Sequence, residues 1–342
     1  MPHQLADRDP RVPADRLVAD LVPPPRFDSV RFATYVPDPA EPSQARAVDF
    51  LRGFADSLSR QPARRSWFRR PSAPPGPLGP SLGAYLDGGF GVGKTHLLAS
   101  LWHAAPGPKL FATFVELTHL VGALGFARAV EALSAYRLIC VDEFELDDPG
   151  DAVLVSTLLS RLAATGVRLA ATSNTLPGSL GEGRFAAQDF LREIQSLAAH
   201  FEVHRIDGED YRHRGAVDAP EPMTDACVRE VATTRPDASM DHFVDLCRHL
   251  PEVHPSRYGA LLDGVAVVCL EEVRVVTDQA LALRLVVLAD RLYDRDLAVV
   301  ASGVRFDRIF GGDLLTGGYR KKYQRAISRL TALAREGSAL VG

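Results

Sequence analysis

Gly88-Gly89-Phe90-Gly91-Val92-Gly93-Lys94-Thr95 is the stretch on which the reading of this chain turns. It fulfils the G-x-x-x-x-G-K-[ST] pattern, and its setting matters more than its letters. Ala84-Tyr85-Leu86 ahead of it is apolar enough to end a strand, and Thr95-His96-Leu97-Leu98 behind it opens a helical pattern. Between a strand and a helix, glycines let successive backbone N–H groups curl into a nest for phosphate oxygens. The helix N-terminus adds the positive end of its dipole. Lys94 has the reach for the β- and γ-phosphates, and the Thr95 hydroxyl suits Mg²⁺. Gly88, Gly89, Phe90, Gly91, Val92, Gly93, Lys94, Thr95 and His96 are therefore the expected contacts to a nucleoside triphosphate. The plain alternative is a glycine-rich turn. Against it, lysine occurs at only four positions, 94, 109, 321 and 322, and one of them stands where the pattern requires it.

Strand and helix patterns alternate beyond the loop. The predicted strands are Ala84–Leu86, Leu110–Phe114, Leu138–Val141, Arg168–Thr172 and Phe201–Ile206, with helices in the gaps. That order implies an α/β fold with a mostly parallel sheet covered on both faces. Leu138-Ile139-Cys140-Val141 runs straight into Asp142-Glu143, placing two carboxylates at the edge of the sheet where ligands bind in such folds. Asp142 suits the Mg²⁺ shell, and Glu143 suits orienting and polarising an attacking water. An apolar strand entering a polar loop has the same look, but here a complete phosphate loop precedes it. A third strand, Leu169-Ala170-Ala171-Thr172-Ser173, ends on Asn174, which is placed to sense the γ-phosphate unless it merely begins a turn.

Composition bounds the rest. The 342 residues suggest two domains or one elaborated domain, and a hydrophobic content of 46% is ample for a core. No apolar run reaches the length of a membrane span. Asp7, Asp9, Asp15 and Asp20 make the first residues unlike a secretory or transit leader, and the four cysteines form no Cys-x-x-Cys pair. A reduced cytoplasm is the expected location. A net charge of −4 argues against a surface built to coat nucleic acid. Three regions are expected: 1–83 with one helix (Ser43–Leu58) and a Pro/Arg-rich linker, a core over 84–215, and an α/β and helical region over 216–342. The linker gathers Arg64, Arg65, Arg69 and Arg70 around Trp67 and Phe68. This reads either as a solvated basic linker or as a contact for an acidic partner, a membrane surface or single-stranded nucleic acid.

Residues 266–303 echo 137–174. Val267-Val268-Cys269-Leu270-Glu271-Glu272 resembles the strand ending in Asp142-Glu143 at an offset of 129 (267 against 138). The same offset sets Ala171-Thr172-Ser173 against Val300-Ala301-Ser302 and Gly303 against Asn174. No glycine-lysine loop precedes the second copy, so a single ATP site is expected. In the closing segment, Ile327, Leu330 and Leu333 recur at helix spacing, and Arg325 and Arg329 share one face. They either reach a bound γ-phosphate or form a solvated basic face.

Taken together these motifs resemble the ZapE/AFG-like family of AAA+ P-loop ATPases. The resemblance runs from about Phe32 to Leu333. It rests on Tyr35-Val36-Pro37-Asp38-Pro39, the phosphate loop, Val141-Asp142-Glu143-Phe144, Ala171-Thr172-Ser173-Asn174, Asp210-Tyr211-Arg212-His213-Arg214, and Gln324-Arg325-Ala326-Ile327-Ser328-Arg329-Leu330. It implies ATP hydrolysis with Mg²⁺, nucleotide-dependent self-assembly, and in bacteria a division role on the FtsZ polymer with a peripheral membrane or divisome contact. Mitochondrial relatives imply protein quality control instead. The chain departs from the family pattern in a shorter stretch between the phosphate loop and Asp142. It departs again at Phe185-Ala186-Ala187, where Ala187 takes the place of an arginine, leaving Arg184 or Arg192 as substitutes in trans. Two rival readings are a nucleic-acid-stimulated loader using Arg64–Arg70 and a scaffold whose shape nucleotide merely fixes.

Overall fold

The computed structural model describes residues 3–10, 14–60, 83–89, 91–144, 149–176, 198–209 and 219–341. The basic linker with Arg64–Arg70, the 184–192 segment and Asp210–Arg214 lie outside these residues, as does Phe90. The chain divides into two compact units. One comprises Ala14–Pro23 and Phe27–Arg214, the other Met1–Pro13, Pro24–Arg26 and Gly215–Gly342. The segment expected as a separate 1–83 region is thus shared between them.

In the larger unit five parallel strands form one sheet in the order β2-β3-β4-β1-β5. They are β1 (Gly83–Gly88), β2 (Lys109–Thr113), β3 (Leu138–Asp142), β4 (Arg168–Ser173) and β5 (Phe201–Ile206). Alternate residues serve opposite faces. Ala84, Leu86, Leu138, Cys140 and Ala170 pack with helices α2 (Pro42–Arg60) and α3 (Lys94–Ala104), which follow the short α1 (Ala14–Ala19) in the chain. Tyr85, Ile139, Val141, Leu169 and Ala171 pack with α4 (Phe114–Leu124), α5 (Phe126–Leu133) and α6 (Pro149–Ala164). Helix α2 earns its place through Ala47, Val48, Leu51, Phe54, Ala55 and Leu58, a stripe at three- and four-residue spacing.

The expected strand Leu110–Phe114 stops one residue early. Thr113 is the N-cap of α4: its side chain accepts the Glu116 N–H at 3.3 Å, and Glu116 Oε2 accepts the Thr113 N–H at 2.7 Å. This reciprocal box turns the chain into a helix at Phe114, a signal present in the sequence as Thr-x-x-Glu.

The smaller unit holds β6 (Ala238–His242), β7 (Val267–Val273) and β8 (Ala298–Gly303), parallel and in that order. One face is covered by α7 (Asp225–Thr234) through Val228, Val231 and Ala232. The other is covered by a larger cluster that includes α8 (Phe243–His249), α9 (Tyr258–Leu261), α10 (Gln279–Asp294) and α11 (Arg320–Ser338), with Leu5 from the N-terminal segment fully buried among them.

The unit β7-α10-β8 repeats β3-α6-β4, and both helices are 16 residues long. The offset needs correction, however. Leu138 pairs with Arg168, whereas Val267 pairs with Ala298. The offset is 129 in the first strand and 130 in the second, so one extra residue lies in between. Ser302 is therefore the counterpart of Thr172, and Val304, not Gly303, that of Asn174. The backbone at the second acid also matches, although Glu143 follows β3 and Glu272 lies within β7. Glu143 and Glu272 both have left-handed backbones, with φ of 51° and 53°.

Candidate active site

Parallel pairing brings the ends of β1, β4, β3 and β2 level. Leu86 is opposite Thr172, Asp87 opposite Ser173, and Thr113 opposite Asp142. Because β4 lies between β1 and β3, the segment carrying Asn174 falls between the phosphate loop and the acidic pair. The loop has the shape its glycines permit. Gly91 and Gly93 have φ of 68° and 89°, a region that side chains disfavour. Gly93 then caps α3, whose first residues are Lys94 and Thr95. Leu97, Leu98 and Leu101 anchor that helix in the core without exposure. The dipole end and its loop are thus held by packing rather than by the loop itself.

Lys94 Nζ donates to Gly88 O at 2.8 Å, Gly89 O at 2.5 Å and Asn174 Oδ1 at 2.8 Å. Thr95 Oγ1 donates to the two oxygens of Asp142 at 3.2 and 3.0 Å. The sensor strand reaches the same acid, for Thr172 Oγ1 donates to Asp142 Oδ1 at 2.5 Å. Glu143 lies next to it in the left-handed turn, a conformation that side chains avoid and that clusters at working sites. Its N–H donates to Thr172 Oγ1 at 3.1 Å, and the N–H of Phe144 to Thr172 O at 2.7 Å. Tyr85 Oη donates to Thr175 O at 2.7 Å and steadies the chain just past Asn174.

A strap from Arg31 to Tyr35 lies along the loop and the first turn of α3. Tyr35 Oη donates to Val92 O at 2.9 Å. Its ring is so close to Gly93 that a Cβ there would stand 2.5 Å from Tyr35 Cε2. His96, expected among the nucleotide contacts, is engaged with this strap. Its Nε2 lies 3.0 Å from Thr34 Oγ1 and 3.3 Å from Arg31 O, and burial lowers its pKa so that the neutral ring is favoured.

Arg325 and Arg329 belong to the smaller unit, and both are used there. Arg325 Nη2 donates to Asp290 Oδ2 at 2.8 Å, and Arg329 pairs with Asp290 Oδ1. The three side chains are 7%, 12% and 14% exposed. Recruiting either arginine to a phosphate would strip a nearly buried carboxylate of a counter-charge, a costly exchange. They are better read as the ionic tie between α10 and α11 than as phosphate ligands or a solvated face. Two residues central to this geometry had no individual signal in the sequence. Tyr35 stood only within a motif, and Thr172 only as a small polar residue at a strand end.

The residues that would receive Mg²⁺ pass a test of donor chemistry. A hydroxyl and a carboxylate converge at the phosphate loop, hard oxygen donors of the kind Mg²⁺ takes together with phosphate and water. Among the described residues no group of three or more His, Cys, Asp or Glu forms a cage.

The model of the AFG1-like ATPase family matches residues 11–234 and 216–338. The chain belongs to the AFG1-like ATPase family. It is accordingly an ATPase, built on a parallel α/β sheet. Within this family it is 30% identical to the cell division protein ZapE of Escherichia coli K12 over 302 residues, covering 75% of this chain and 79% of that protein. It is 29% identical over 149 residues to the uncharacterized protein C115.02c of Schizosaccharomyces pombe, covering 38% of this chain and 33% of that one. Domain III of the Thermotoga maritima replication initiation protein DnaA is 14% identical, with a TM-score of 0.39 over 67% of this chain and 75% of its own. Among the described residues of this AFG1-like ATPase, no helix is long and apolar enough to cross a membrane.

Proposed function

We propose that this ATPase is Mg²⁺-dependent and that hydrolysis takes place at the strand edge formed by Lys94, Thr95, Asp142, Glu143 and Asn174. The observation that carries this reading is the tie from Thr95 Oγ1 to both oxygens of Asp142 at 3.2 and 3.0 Å. It joins the helix after the phosphate loop to the acidic strand at the point where a phosphate-bound cation sits in such loops. When bound, Mg²⁺ supplies charge to the β- and γ-phosphate oxygens. Lys94, leaving the carbonyls of its own loop, adds positive charge to the same oxygens. Glu143 orients a water in line with the γ-phosphorus and takes its proton. Asn174, within reach of Lys94, reports the γ-phosphate. Little covalent chemistry falls to the protein, whose work is positioning and electrostatics.

The proposed physiological setting follows the relative's name. The chain acts in the cytoplasm in bacterial cell division, assembling with itself when nucleotide is bound and remodelling a tubulin-like FtsZ polymer. A peripheral membrane or divisome contact accompanies that role, and nucleic acid is not its partner. Support comes from the family membership and from identity over most of both chains. The test is the rate of ATP turnover against protein concentration, with and without Mg²⁺ and FtsZ polymer, and with single-stranded DNA as the contrasting partner. Turnover that needs Mg²⁺ and rises with both concentration and polymer is expected. Lys94→Ala should lose nucleotide binding. Glu143→Gln should keep it while turnover falls ~10²–10⁴-fold, the usual worth of a positioned base. Undiminished turnover in Glu143→Gln would remove Glu143 from the mechanism, and stimulation by DNA alone would replace the polymer with a nucleic-acid partner.

A further inference from the structure

We propose that Thr172 is the positioning residue of this site, one hydroxyl that sets both members of the acidic pair; the inference rests on the roles assigned above to Asp142 and Glu143. Thr172 is 2% exposed, and its hydroxyl is used in two directions. It donates to Asp142 Oδ1 at 2.5 Å and accepts the N–H of Glu143 at 3.1 Å. A hydroxyl has one proton and two lone pairs, so both bonds are made at once. With Thr95 donating from the other side, the Asp142 carboxylate is held between two hydroxyls, and its oxygens face the phosphate loop in a set orientation. The bond to Glu143 acts on backbone rather than side chain. Glu143 adopts a left-handed conformation that an L-residue enters only when something holds it there. The backbone tie from Phe144 N–H to Thr172 O would survive any substitution at 172, whereas the two hydroxyl bonds would not.

The second unit supplies an independent case. Glu272, the counterpart of Glu143, lies within β7 at the irregularity in its pairing with β8; it has φ 53°, and its N–H donates to Ser302 Oγ at 2.9 Å. Ser302 is the register counterpart of Thr172. Thus a left-handed glutamate, just past β3 in one copy and within β7 in the other, comes with a hydroxyl on the next strand in both, although only one copy has a phosphate loop. The proton of the hydroxyl marks the difference. Ser302 gives it to Asp225 on α7, whereas Thr172 gives it to the acid beside the phosphate loop. The amide tie goes with the turn, and the bond to Asp142 belongs to the ATPase site. The valine side chain has almost the shape of threonine, so Thr172→Val removes the hydroxyl while leaving the packing.

The experiment compares wild type, Thr172→Val, Thr172→Ala, Thr172→Ser and Ser302→Ala. Steady-state ATP turnover is read together with the affinity for a fluorescent ATP analogue, with and without Mg²⁺, and with hydrogen exchange at the Glu143 amide. In Thr172→Val, kcat should fall ~10–100-fold, the cost of misplacing a reacting group by about an ångström, while KM changes less than ~3-fold. Affinity without Mg²⁺ should stay at the wild-type value, and the Glu143 amide should exchange faster. Thr172→Ser should restore kcat to within ~3-fold, and Ser302→Ala should leave it unchanged. If the valine variant does not fold, the alanine variant is held to the same criteria. Wild-type kcat without the hydroxyl, failure of serine to rescue, or a loss carried by KM and Mg²⁺-free affinity would overturn the assignment. A wild-type protein that turned over ATP with Glu143 dispensable would instead overturn the roles beneath it.

Discussion

Gly93→Ala tests whether the strap and the phosphate loop are built against each other as the geometry requires. Two costs arise. Gly93 has φ 89°, where a Cβ costs about 1–2 kcal/mol. The new carbon would also lie 2.5 Å from Tyr35 Cε2, well inside contact. The tyrosine ring cannot yield freely. Its hydroxyl is bonded to Val92 O at 2.9 Å, and its ring makes an edge contact with the His96 ring at 5.5 Å between centroids. Relief of the clash therefore costs the net value of that hydrogen bond, about 0.5–1.5 kcal/mol, or an overpacking strain of about 1–3 kcal/mol. The sum is about 1.5–5 kcal/mol. For a unit of this size that lowers the thermal midpoint by about 3–20 °C. The assay is calorimetry of wild type, Gly93→Ala, Tyr35→Ala and the double variant. The steric part should vanish when the ring is gone, giving a coupling energy of about 1–3 kcal/mol of the relieving sign. A single variant as stable as wild type, or strictly additive effects in the cycle, would refute the reasoning.

Two more outcomes follow from buried charge. Asp290→Ala removes the shared counter-ion of Arg325 and Arg329 and should destabilise the protein by about 3–5 kcal/mol, seen as an earlier urea midpoint. Asp241, 2% exposed, accepts the Ala6 N–H at 2.9 Å, and burial raises its carboxyl above the ordinary carboxylate range. A raised folded pKa means that its contribution is full below the unfolded value of about 4 and is lost as pH climbs through the folded one. The stability of Asp241→Asn relative to wild type should therefore improve from pH 4 toward neutrality. A pH-independent difference would show that the carboxyl titrates alike in the folded and unfolded states and refute the upward shift.

The three strand ends of the site were readable because each is a short local pattern: an apolar run followed by glycines and lysine, by two acids, or by small polar residues. The helix start at Phe114 was equally local, since Thr113 and Glu116 spell a capping box. It was missed because the apolar Phe114 extends the strand pattern smoothly. Other features are nonlocal. Thr172 reaches Asp142 from 30 positions away, and Asp290 meets Arg325 from 35. Leu5 is buried in the C-terminal unit, although nothing in the composition of the first ten residues distinguishes them from a loose tail. The echo in the second half was visible, but its one-residue insertion shows only in the pairing of Val267 with Ala298.

The amino-acid sequence by itself determined what this protein can grip and cleave, because a glycine-lysine-threonine turn and a strand ending in paired acids have their chemistry written in adjacent residues. Only the tertiary structure decided which side chains meet around those motifs. It set Thr172 between the acids, laid Tyr35 on Gly93, and committed Arg325 and Arg329 to Asp290. Strand order, register and the pairing of buried charges depend on contacts between distant segments, and side-chain type along the chain does not encode which distant partner is met.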